Sequence, residues 1–489
     1  MYKFVVVGGG TAGMMAASLI KTYYGDQVEV TSIYDHKNPG IGVGESLTPF
    51  LYQYLNYVGI TREELVKNVH ATIKLGLKFK NWLNDGNYYF HNFNPLLEPN
   101  DSYNMIAMCD IANECYDNDI GWGYYPLENS RIPLDHMINQ SLHIDAVLFS
   151  RYVEDKFKDR IVILDGLVDA VEFKPNTEEI NNLILKDGRK IKGDFFIDAS
   201  GFQYALFKHL DNTWVDKRDW MPINRCIPNP MPWDFTTQPT YTTSEASDQG
   251  WILQVPLSNR WGTGYLYASE FCSDEQAFEN FENFLQKNYG KSLNNTSKVL
   301  KFNSGYWNRQ WIGNCIAVGL SSGFAEPLEA TNIHHTIFQL WRFINVFNFK
   351  IYTLDQNLYN KDMQEFYHNA YLFLRFCYTT GRQDSEFWKF LTNNTPDEIK
   401  FLDEKSRTDN IHIDIVNGPI FRYRNFTRVA YGLNKISAKS AKRILDIRQN
   451  YERASTLSSL VHNSKQEIYK GMVDHKQYIN SVLTGQYNN

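Results

Sequence analysis

A lysine in an apolar segment near residue 74 is the side chain best placed to do chemistry. Lys74 lies between Ile73 and Leu75. Because an ammonium group is costly to bury, the pKa and reactivity of such a lysine can be tuned. Alternation predicts one strand through residues 73–80, with Lys74, Lys78 and Lys80 on the same face. For a lone strand such a charged face is usually solvated, and spacing alone does not decide whether Lys74 or Lys78 faces a pocket.

A glycine-rich turn at the start of the chain predicts a nucleotide site, against the alternative of a purely structural turn. An apolar strand over residues 3–7 leads into it and a helical pattern follows. Gly8 allows the tight turn, Gly10 lets the backbone approach a pyrophosphate, and Gly13 allows close helix–strand packing. The helix N-terminus offers N–H groups to the phosphates. The predicted cofactor-binding residues are Gly8, Gly10, Thr11, Ala12 and Gly13.

Two further segments extend this predicted site. Asp35 follows the strand that begins at Val28, at the spacing of an acid that binds a ribose, although Tyr34 could occupy that position instead. The many glycines of residues 40–46 suggest backbone lying against a ligand, with a plain flexible loop as the alternative. The predicted binding residues of this segment are Gly42, Val43, Gly44 and Glu45.

The pattern of a strand followed by a glycine-containing turn recurs at residues 194–202 and 315–329. Three such segments imply one cofactor site assembled from distant parts of the chain, which fits FAD better than NAD. The predicted binding residues here are Gly201, Gly319 and Leu320. The sequence therefore predicts an α/β fold of the FAD-binding, Rossmann-like flavoprotein type. An interleaved antiparallel sheet and a C-terminal helical region complete this predicted fold.

The length of 489 residues predicts more than one domain. The first, 1–350, is expected to be the FAD-binding α/β unit, interleaved with antiparallel sheet segments at about 61–144 and 206–299. Residues 162–164 are also assigned to the antiparallel sheet. The second domain, 351–489, is expected to be mainly helical and to lie on the substrate side.

Composition narrows the classes of partner. With 49 basic and 55 acidic residues the net charge is −6, which gives no electrostatic basis for binding nucleic acid. No apolar run is long enough to span a bilayer and the N-terminus lacks signal-peptide features, so we expect a cytoplasmic protein. The six cysteines form no CxxC pair, and no metal site is predicted. The oligomeric state, including a homo-oligomer, stays open.

The chain resembles flavin-dependent halogenases of the tryptophan halogenase type over roughly residues 1–390. Related flavin hydroxylases carry Gly-Asp where this chain has Gly319 and Leu320, which speaks against an ordinary hydroxylase. The segments that carry the resemblance are GGGTAG (8–13), GVGE (42–45), the lysine segment ending FKNW (71–82), HID (143–145), IDASGF (197–202) and GLSSGFAEPLE (319–329).

This resemblance implies two catalytic residues, Lys74 and Glu329. Reduced FAD from a separate flavin reductase, O2 and a halide ion (chloride, bromide or iodide) would yield hypohalous acid. The acid would pass through a tunnel to Lys74, which would hold it by a hydrogen bond or as a haloamine, before electrophilic attack on a small aromatic substrate. Glu329 would polarise the oxidant or assist loss of the ring proton. The alternative for Glu329 is a helix N-terminal acid stabilised by the dipole.

The chain departs from the family's WxWxIP signature, which the resemblance assigns to the tunnel. Trp251 and Pro256 are retained, but Leu253 replaces the second tryptophan. A smaller residue there could widen the tunnel or alter the passage of halide. This change puts chloride-specific tryptophan chemistry in doubt without changing the enzyme class.

A second departure follows Glu329. The serine expected next is Ala330, while the backbone N–H groups of Thr331 and Asn332 remain as the implied halide ligands. Asparagine also tolerates a left-handed conformation better than most residues. Together with Leu253, these differences motivate the hypothesis that bromide or iodide is preferred over chloride.

The substrate side has fewer signals. His91 and Phe93 match a His-x-Phe pair that contacts indole in the family, with a surface loop as an equal alternative. We find no counterpart of the residues that clamp free tryptophan, so another indole or an electron-rich aromatic compound is an equal candidate. Two other functions stay open: a flavin monooxygenase hydroxylating an aromatic small molecule with a structural Lys74, and a non-catalytic flavoprotein.

Overall fold

The computed structural model describes residues 1–37, 44–93, 127–134, 139–232, 236–408, 416–435 and 470–487. The chain forms two compact units, each assembled from three stretches of sequence. The stretches of the first unit are Met1–Ala71, Ile144–Met221 and Phe302–Tyr367, and those of the second unit are Thr72–His143, Pro222–Lys301 and His368–Asn489. No helix among the described residues is long and apolar enough to cross a membrane.

Strands and helices alternate along most of the described chain. The strands are β1 (Tyr2–Val7), β2 (Val28–Tyr34), β3 (Glu45–Ser46), β4 (Thr72–Lys74), β5 (Gly76–Lys80), β6 (Tyr88–Asn92), β7 (Arg131–Pro133), β8 (Ser141–Ile144), β9 (Val162–Asp165), β10 (Val168–Phe173), β11 (Ile180–Leu185), β12 (Lys190–Lys192), β13 (Phe195–Asp198), β14 (Trp214–Asp216), β15 (Arg225–Pro228), β16 (Tyr241–Ser247), β17 (Gly250–Pro256), β18 (Trp261–Tyr267), β19 (Leu300–Lys301), β20 (Gly305–Trp307), β21 (Trp311–Ile312), β22 (Cys315–Ala317), β23 (Gly323–Phe324) and β24 (Met472–Asp474). The α-helices are α1 (Thr11–Tyr24), α2 (Leu51–Val58), α3 (Arg62–Val69), α4 (Ala146–Phe157), α5 (Asp274–Tyr289), α6 (Thr331–Val346), α7 (Thr353–Cys377), α8 (Glu386–Asn393), α9 (Asp397–Thr408), α10 (Tyr423–Gly432) and α11 (His475–Leu483).

The first unit is built on a six-stranded sheet in the order β21-β22-β13-β1-β2-β9. All neighbours pair in parallel except β21 with β22. The central strand β1 is apolar and buried from Phe4 to Val7, as expected of a parallel strand covered on both faces. Helix α1 follows β1 directly and contacts α4 and α6.

The assignment of residues 162–164 to an antiparallel sheet was wrong. They lie in β9, which pairs in parallel with β2 at the edge of the six-stranded sheet. The physical reason is the connection: α4 precedes β9, and a helical crossover returns the chain parallel to its neighbour. Because β9 is an edge strand and only half-buried, its sequence lacks the continuous apolar run of a central parallel strand.

The second unit is built on a seven-stranded sheet in the order β19-β15-β18-β17-β16-β5-β6. Its neighbours pair antiparallel except β16 with β5, which are parallel. One face packs on α5, where Ile252, Tyr265 and Phe281 share an apolar cluster. The predicted interleaved antiparallel sheet is therefore present, with one parallel pair inside it.

The expectation of one continuous strand through residues 73–80 was wrong. Strand β4 pairs with β8, whereas β5 joins the seven-stranded sheet, and the chain changes partners at Leu75. Gly76 lies at this change. A Cβ there would come within 2.8 Å of the Asn92 Cα and the His91 carbonyl oxygen. The sharing of one face by Lys74 and Lys78 therefore does not hold, because the two residues belong to different sheets.

Candidate active site

The glycine turns predicted from three distant segments meet at one edge of the first unit's sheet. They follow β1, β13 and β22, which are neighbours in that sheet. A Cβ on Gly8 would lie 2.2 Å from the Ala199 carbonyl oxygen, and one on Gly319 would lie 2.7 Å from the Ala12 Cβ. The Ser321 hydroxyl donates to the Gly201 carbonyl oxygen at 3.2 Å. The structure thus brings all three turns into contact.

The first turn has the shape of a dinucleotide-binding turn. Gly8 has φ +131°, and a Cβ on Gly13 would lie 1.9 Å from the Gly8 carbonyl oxygen. A Cβ on Gly10 would meet no atom of the described part of the chain within 4 Å, which leaves room there for a ligand. No side chain caps α1 at Gly10. The N–H groups at its start, which include those of Thr11 and Ala12, can therefore bind a phosphate. These residues fit the pyrophosphate of FAD.

Asp35 lies directly after β2, one position beyond Tyr34. The Tyr34 hydroxyl donates to Glu154 at 2.6 Å, and its ring occupies the space beside Gly9. Burial raises the pKa of this hydroxyl, and the Glu154 carboxylate raises it further. Tyr34 is thus held by contacts within the first unit. Its carboxylate accepts the Lys37 N–H locally at 3.0 Å.

The predicted segment 42–45 is described only in part. Gly42 and Val43 lie outside the described residues. Gly44 has φ +103°, a conformation that favours glycine. Burial raises the pKa of the adjacent Glu45 to about 7. A carboxyl group with a pKa near neutral pH is present in part in its protonated form, which can donate a hydrogen bond as well as accept one.

A buried aspartate that the sequence reasoning left without a role holds the second turn. Asp198 ends β13, and its carboxylate accepts the N–H groups of Leu206 at 2.7 Å and Phe207 at 2.9 Å. Its other oxygen accepts the Ser200 hydroxyl at 2.6 Å. These bonds fix the chain around Gly201. The position of Asp198 at the end of an apolar strand was the available signal.

The third turn is held by α6. Gly319 has φ +61°, and its N–H donates to the Gln339 side-chain oxygen at 3.0 Å. The amide of Gln339 in turn donates to the Ala317 carbonyl oxygen. Leu320 lies in the short 3-10 helix Gly319–Ser321. An aspartate is absent at this position, so the turn offers backbone and not carboxylate to a ligand.

Glu329 precedes the start of α6 and is buried. Ala330 has φ +58°, in the left-handed region. The left-handed residue of this turn is thus Ala330, and Asn332 is helical. Helix α6 begins at Thr331, so the backbone N–H groups of Thr331 and Asn332 lie at a helix N-terminus, where anions bind. The Thr331 hydroxyl is buried without a hydrogen-bond partner among the described residues, which fits a small anion nearby.

Lys74 is fully buried in β4, in the second unit. Its amine lies 4.8 Å from the centre of the Phe93 ring. The solvated-face alternative is therefore wrong for Lys74. It is also wrong for Lys78, which is half-buried against aromatic rings, while Lys80 pairs with Glu245 at the surface. Lys74 belongs to the second unit and Glu329 to the first.

A buried histidine lies beside Lys74. The Thr72 hydroxyl donates to the Pro256 carbonyl oxygen at 2.5 Å, so its oxygen accepts from His143 Nδ1 at 2.9 Å. His143 Nε2 lies 3.0 Å from the Thr242 hydroxyl and accepts from it. Burial lowers the pKa of His143 well below its usual value, and the charge of Lys74 lowers it further. His143 is therefore neutral, and it links Thr72 of the lysine strand to Thr242 of β16.

A second buried histidine was not found by sequence reasoning. His475, the first residue of α11, accepts the Ile73 N–H at Nε2, 2.9 Å away. Its Nδ1 donates to the Gln238 carbonyl oxygen at 2.9 Å. Burial lowers its pKa to about 4. No local signal marked this residue, because His475 and Ile73 are 402 positions apart.

Of the two predicted substrate residues, Phe93 lies beside the amine of Lys74 and His91 lies in the seven-stranded sheet. His91 is buried in β6, and its Nε2 lies 3.1 Å from the Asn425 side-chain nitrogen. The surface-loop alternative is therefore wrong for His91. Phe93 follows β6, with its N–H bonded to the Leu75 carbonyl oxygen. This bond sets the ring beside the amine of Lys74.

The three predicted tunnel residues are buried in β17. Trp251 and Leu253 alternate with Ile252 and so face away from α5, while Pro256 ends the strand. The indole N–H of Trp251 is buried without a hydrogen-bond partner among the described residues. The Pro256 carbonyl oxygen accepts the Thr72 hydroxyl. The signature strand and the lysine strand are thus joined through Thr72.

Comparison with known proteins gives consistent results. A family model described as tryptophan halogenase matches residues 3–449. Tryptophan 6-halogenase SttH of Streptomyces toxytricini is 30% identical over 375 residues, which cover 69% of this chain and 71% of that protein. Tryptophan 7-halogenase RebH of Lentzea aerocolonigenes is 26% identical over 426 residues, covering 79% of this chain and 78% of that protein.

A solved structure supports the same fold. Xcc4156, a flavin-dependent halogenase from Xanthomonas campestris, is similar with a TM-score of 0.84 at 24% identity, covering 98% of each chain. At this identity the likeness shows the fold alone, and it confirms the predicted α/β fold. The family match reaches residue 449, which corrects the expectation that the likeness ends near residue 390. His475 lies beyond the matched residues.

Proposed function

Because the chain belongs to the tryptophan halogenase family, we propose that it is an FADH2-dependent halogenase in which Lys74 handles hypohalous acid. The family consists of flavin-dependent enzymes that act on aromatic substrates, as the sequence resemblance predicted. The observation that carries the finer proposal is the burial of Lys74, with its amine 4.8 Å from the Phe93 ring. The substrate proposed is an indole or another electron-rich aromatic compound.

The cofactor would be held by the three glycine turns of the first unit. Gly10 and the start of α1 would bind the pyrophosphate, Asp35 the ribose, and Gly319 with Leu320 the flavin side. When bound, reduced FAD supplies the two-electron activation of O2 that converts halide to hypohalous acid. We propose that a separate flavin reductase supplies FADH2, as the family resemblance implies.

Lys74 would bring the oxidant to the aromatic ring. Hypohalous acid and an aromatic C–H give an aromatic C–halogen bond and water, so the oxygen needs a proton donor as it leaves. An ammonium at Lys74 can donate that proton and hold the oxidant by a hydrogen bond. Burial of Lys74 and the Phe93 ring beside it limit competing water, which would consume the oxidant.

Glu329 is proposed as the second catalytic residue. A carboxylate can accept the ring proton that the aromatic compound loses, or orient a protonated oxidant. It is buried directly before α6, so the alternative of an acid stabilised by the helix dipole stays open beside this proposal. Glu329→Gln keeps the shape but removes the basic oxygen, so we expect it to slow halogenation about 100-fold.

The halide would bind at the start of α6. The proposal assigns it to the N–H groups of Thr331 and Asn332, beside the buried Thr331 hydroxyl. We propose a preference for bromide or iodide over chloride, because Ala330 lacks the hydroxyl of the family's usual serine and Leu253 is smaller than the usual tryptophan. Competition between equimolar halides tests this preference. Chloride incorporation as fast as that of bromide and iodide would refute it.

The main test is product analysis. Purified protein is supplied with FAD, a flavin reductase and O2. Each halide is then tested with a panel of indoles, including free tryptophan, and the products are identified by mass spectrometry. We expect halogenated product from the wild type and none above about 0.1% of that rate from Lys74→Ala. A chemical trap for hypohalous acid serves as the control, because Lys74→Ala should still release the oxidant.

Three outcomes would contradict the proposal. Undiminished halogenation by Lys74→Ala would remove the lysine from the mechanism. Hydroxylated product formed with NADPH and no reductase would favour the monooxygenase alternative. Absence of both products and of trapped oxidant would favour a non-catalytic flavoprotein.

A further inference from the structure

The backbone of the lysine strand β4 has a gap in its hydrogen bonding that a side chain fills. On one side β4 pairs with β8. On the other side the Leu75 N–H donates to the Thr240 carbonyl oxygen at 2.7 Å. This bond extends the parallel pairing of β5 with β16 by one residue towards the N-terminus of both strands. The preceding residue of that partner segment is Pro239, which has no N–H to donate. The pairing stops there.

His475 bridges this gap. Its Nε2 accepts the Ile73 N–H and its Nδ1–H donates to the Gln238 carbonyl oxygen, both at 2.9 Å. These are the two backbone groups on either side of the interruption. A neutral imidazole with the proton on Nδ1 satisfies both, and an imidazolium could not accept from Ile73. The ring thus takes the place of one strand-to-strand contact next to Lys74.

We propose that His475 is a positioning residue for Lys74: it fixes the strand that presents the amine, and so makes the start of α11 part of the oxidant-handling site. The proposal rests on the proposed function of Lys74. Strand β4 has only three residues, and the His475 bond is to the residue directly before Lys74. A displacement of about 1 Å at a reacting group is enough to slow a reaction about 100-fold.

His475 is distinct from the other imidazole at this strand. His143 acts on Thr72 through a hydroxyl and lies inside the sequence segment shared with the family. His475 acts on the backbone and lies after residue 449, where the family match ends. The C-terminal contact is therefore a feature of this chain that the family model does not include.

Two amide substitutions separate the two hydrogen bonds of His475. In His475→Gln the side-chain oxygen can replace Nε2 as the acceptor for Ile73, and the donor to Gln238 is lost. In His475→Asn the side-chain nitrogen can replace Nδ1 as the donor to Gln238, and the acceptor is lost. Val482→Ala is the matched control, because it removes buried methyl groups from the same helix without touching either bond.

Two readouts are measured on the full-length protein. The first is kcat and KM for halogenation of an accepted indole. We expect His475→Asn to lower kcat about tenfold with KM changed less than about twofold, and His475→Gln to stay within about threefold of the wild type. The second is hydrogen exchange of the peptide covering residues 71–82 in protein without FAD. Exchange should be faster in His475→Asn and near wild-type in His475→Gln and Val482→Ala.

The outcomes separate this proposal from the proposed function. If folded His475→Asn keeps wild-type kcat and exchange, the positioning role is overturned. The same follows if all three variants lose kcat in proportion to their loss in melting temperature, since that is a purely structural effect. If the wild type itself gives no halogenated product, the proposed function fails, whereas the exchange comparison still decides whether His475 holds β4.

Discussion

Lys74 and Lys78 are four residues apart and have opposite surroundings. Lys74 is fully buried in β4, and its amine lies 4.8 Å from the centre of one aromatic ring. Lys78 is half-buried in β5. Its amine lies 3.5 Å from the centre of the Tyr88 ring and 5.4 Å from those of Phe90 and Tyr241. Lys74 is thus enclosed by protein, whereas Lys78 lies over the faces of aromatic rings and is partly exposed.

The difference arises from the change of sheet at Leu75. Strand β4 is held between β8 and His475, whereas β5 runs inside the seven-stranded sheet. Burial lowers the pKa of Lys78, while the charge of Glu128 opposes that change. An amine over aromatic faces and near an acid is stabilised as a cation. Under the proposed function the two lysines have different roles, a reactive one for Lys74 and a structural one for Lys78.

The paired substitutions Lys74→Ala and Lys78→Ala test the difference between the two lysines most directly. We expect Lys74→Ala to lower the kcat of halogenation about 1,000-fold, because the oxidant loses its proton donor. Lys78→Ala should lower it less than about threefold. Product formation by mass spectrometry under identical flavin reduction measures both. A larger loss in Lys78→Ala would reverse the assignment.

Thr72→Val tests how firmly the lysine strand is fixed. The substitution keeps the shape but leaves His143 Nδ1–H and the Pro256 carbonyl oxygen without their partner. Each buried unsatisfied group costs about 1–3 kcal/mol, so we expect a loss of about 2 kcal/mol in unfolding free energy. Urea denaturation measures it.

The control for Thr72→Val is Thr427→Val, whose hydroxyl donates to the Tyr423 carbonyl oxygen in the preceding turn of α10. It should cost less than about 1 kcal/mol. Equal losses in the two variants would show that Thr72 does no more than an ordinary buried hydroxyl.

The residues that could be predicted from sequence are those whose geometry is local. Gly8, Gly10 and Gly13 lie in one short turn. Their spacing predicts that Gly8 and Gly13 pack closely and that the space beside Gly10 is open. Strand β2 ends at Tyr34, one residue before the predicted acid. In such segments each required conformation is set by neighbours within a few positions.

The contacts around Lys74 could not be predicted in this way. The alternation of residues 73–80 is compatible with one strand, and only the pairing of β4 with β8 shows the break at Leu75. Gly76 was a usable signal, since glycine inside a strand often marks a bend or a close approach. His475 gave none, because its partners Ile73 and Gln238 are more than 200 positions away.

The pH dependence of stability tests the surroundings of Lys74, because the neutral imidazole of His475 is bonded to the neighbouring residue Ile73. Burial lowers the pKa of His475 to about 4 in the folded chain, against the usual 6.5. Between these values the unfolded chain takes up a proton that the folded chain does not. The free energy of unfolding therefore falls as pH falls, by up to about 1.4 kcal/mol per pH unit. Asp474 opposes this effect in part, since its charge raises the pKa.

His475→Gln isolates the contribution of this group. The stability difference between wild type and His475→Gln should shift by about 2 kcal/mol in favour of the variant between pH 7 and pH 5. The contributions of groups that both proteins share cancel in this difference. These groups include His143, whose pKa is lowered, and Glu45, whose raised pKa acts in the opposite direction. Denaturant unfolding at the two pH values gives the result. An unchanged difference would mean that His475 is protonated in the folded state.

Tyr88→Leu removes the aromatic face beneath Lys78 and has the smallest expected effect. Cation–π contacts at exposed sites contribute about 0.5–1 kcal/mol, and Tyr88 is partly exposed. We expect a loss of about 1 kcal/mol in unfolding free energy and no change in halogenation. Tyr88→Phe is the control: it keeps the ring and removes only the hydroxyl that donates to Glu128 at 2.8 Å. If Tyr88→Leu slows halogenation as strongly as Lys74→Ala, Lys78 and its aromatic rings belong to the catalytic site and the division between the two lysines is wrong.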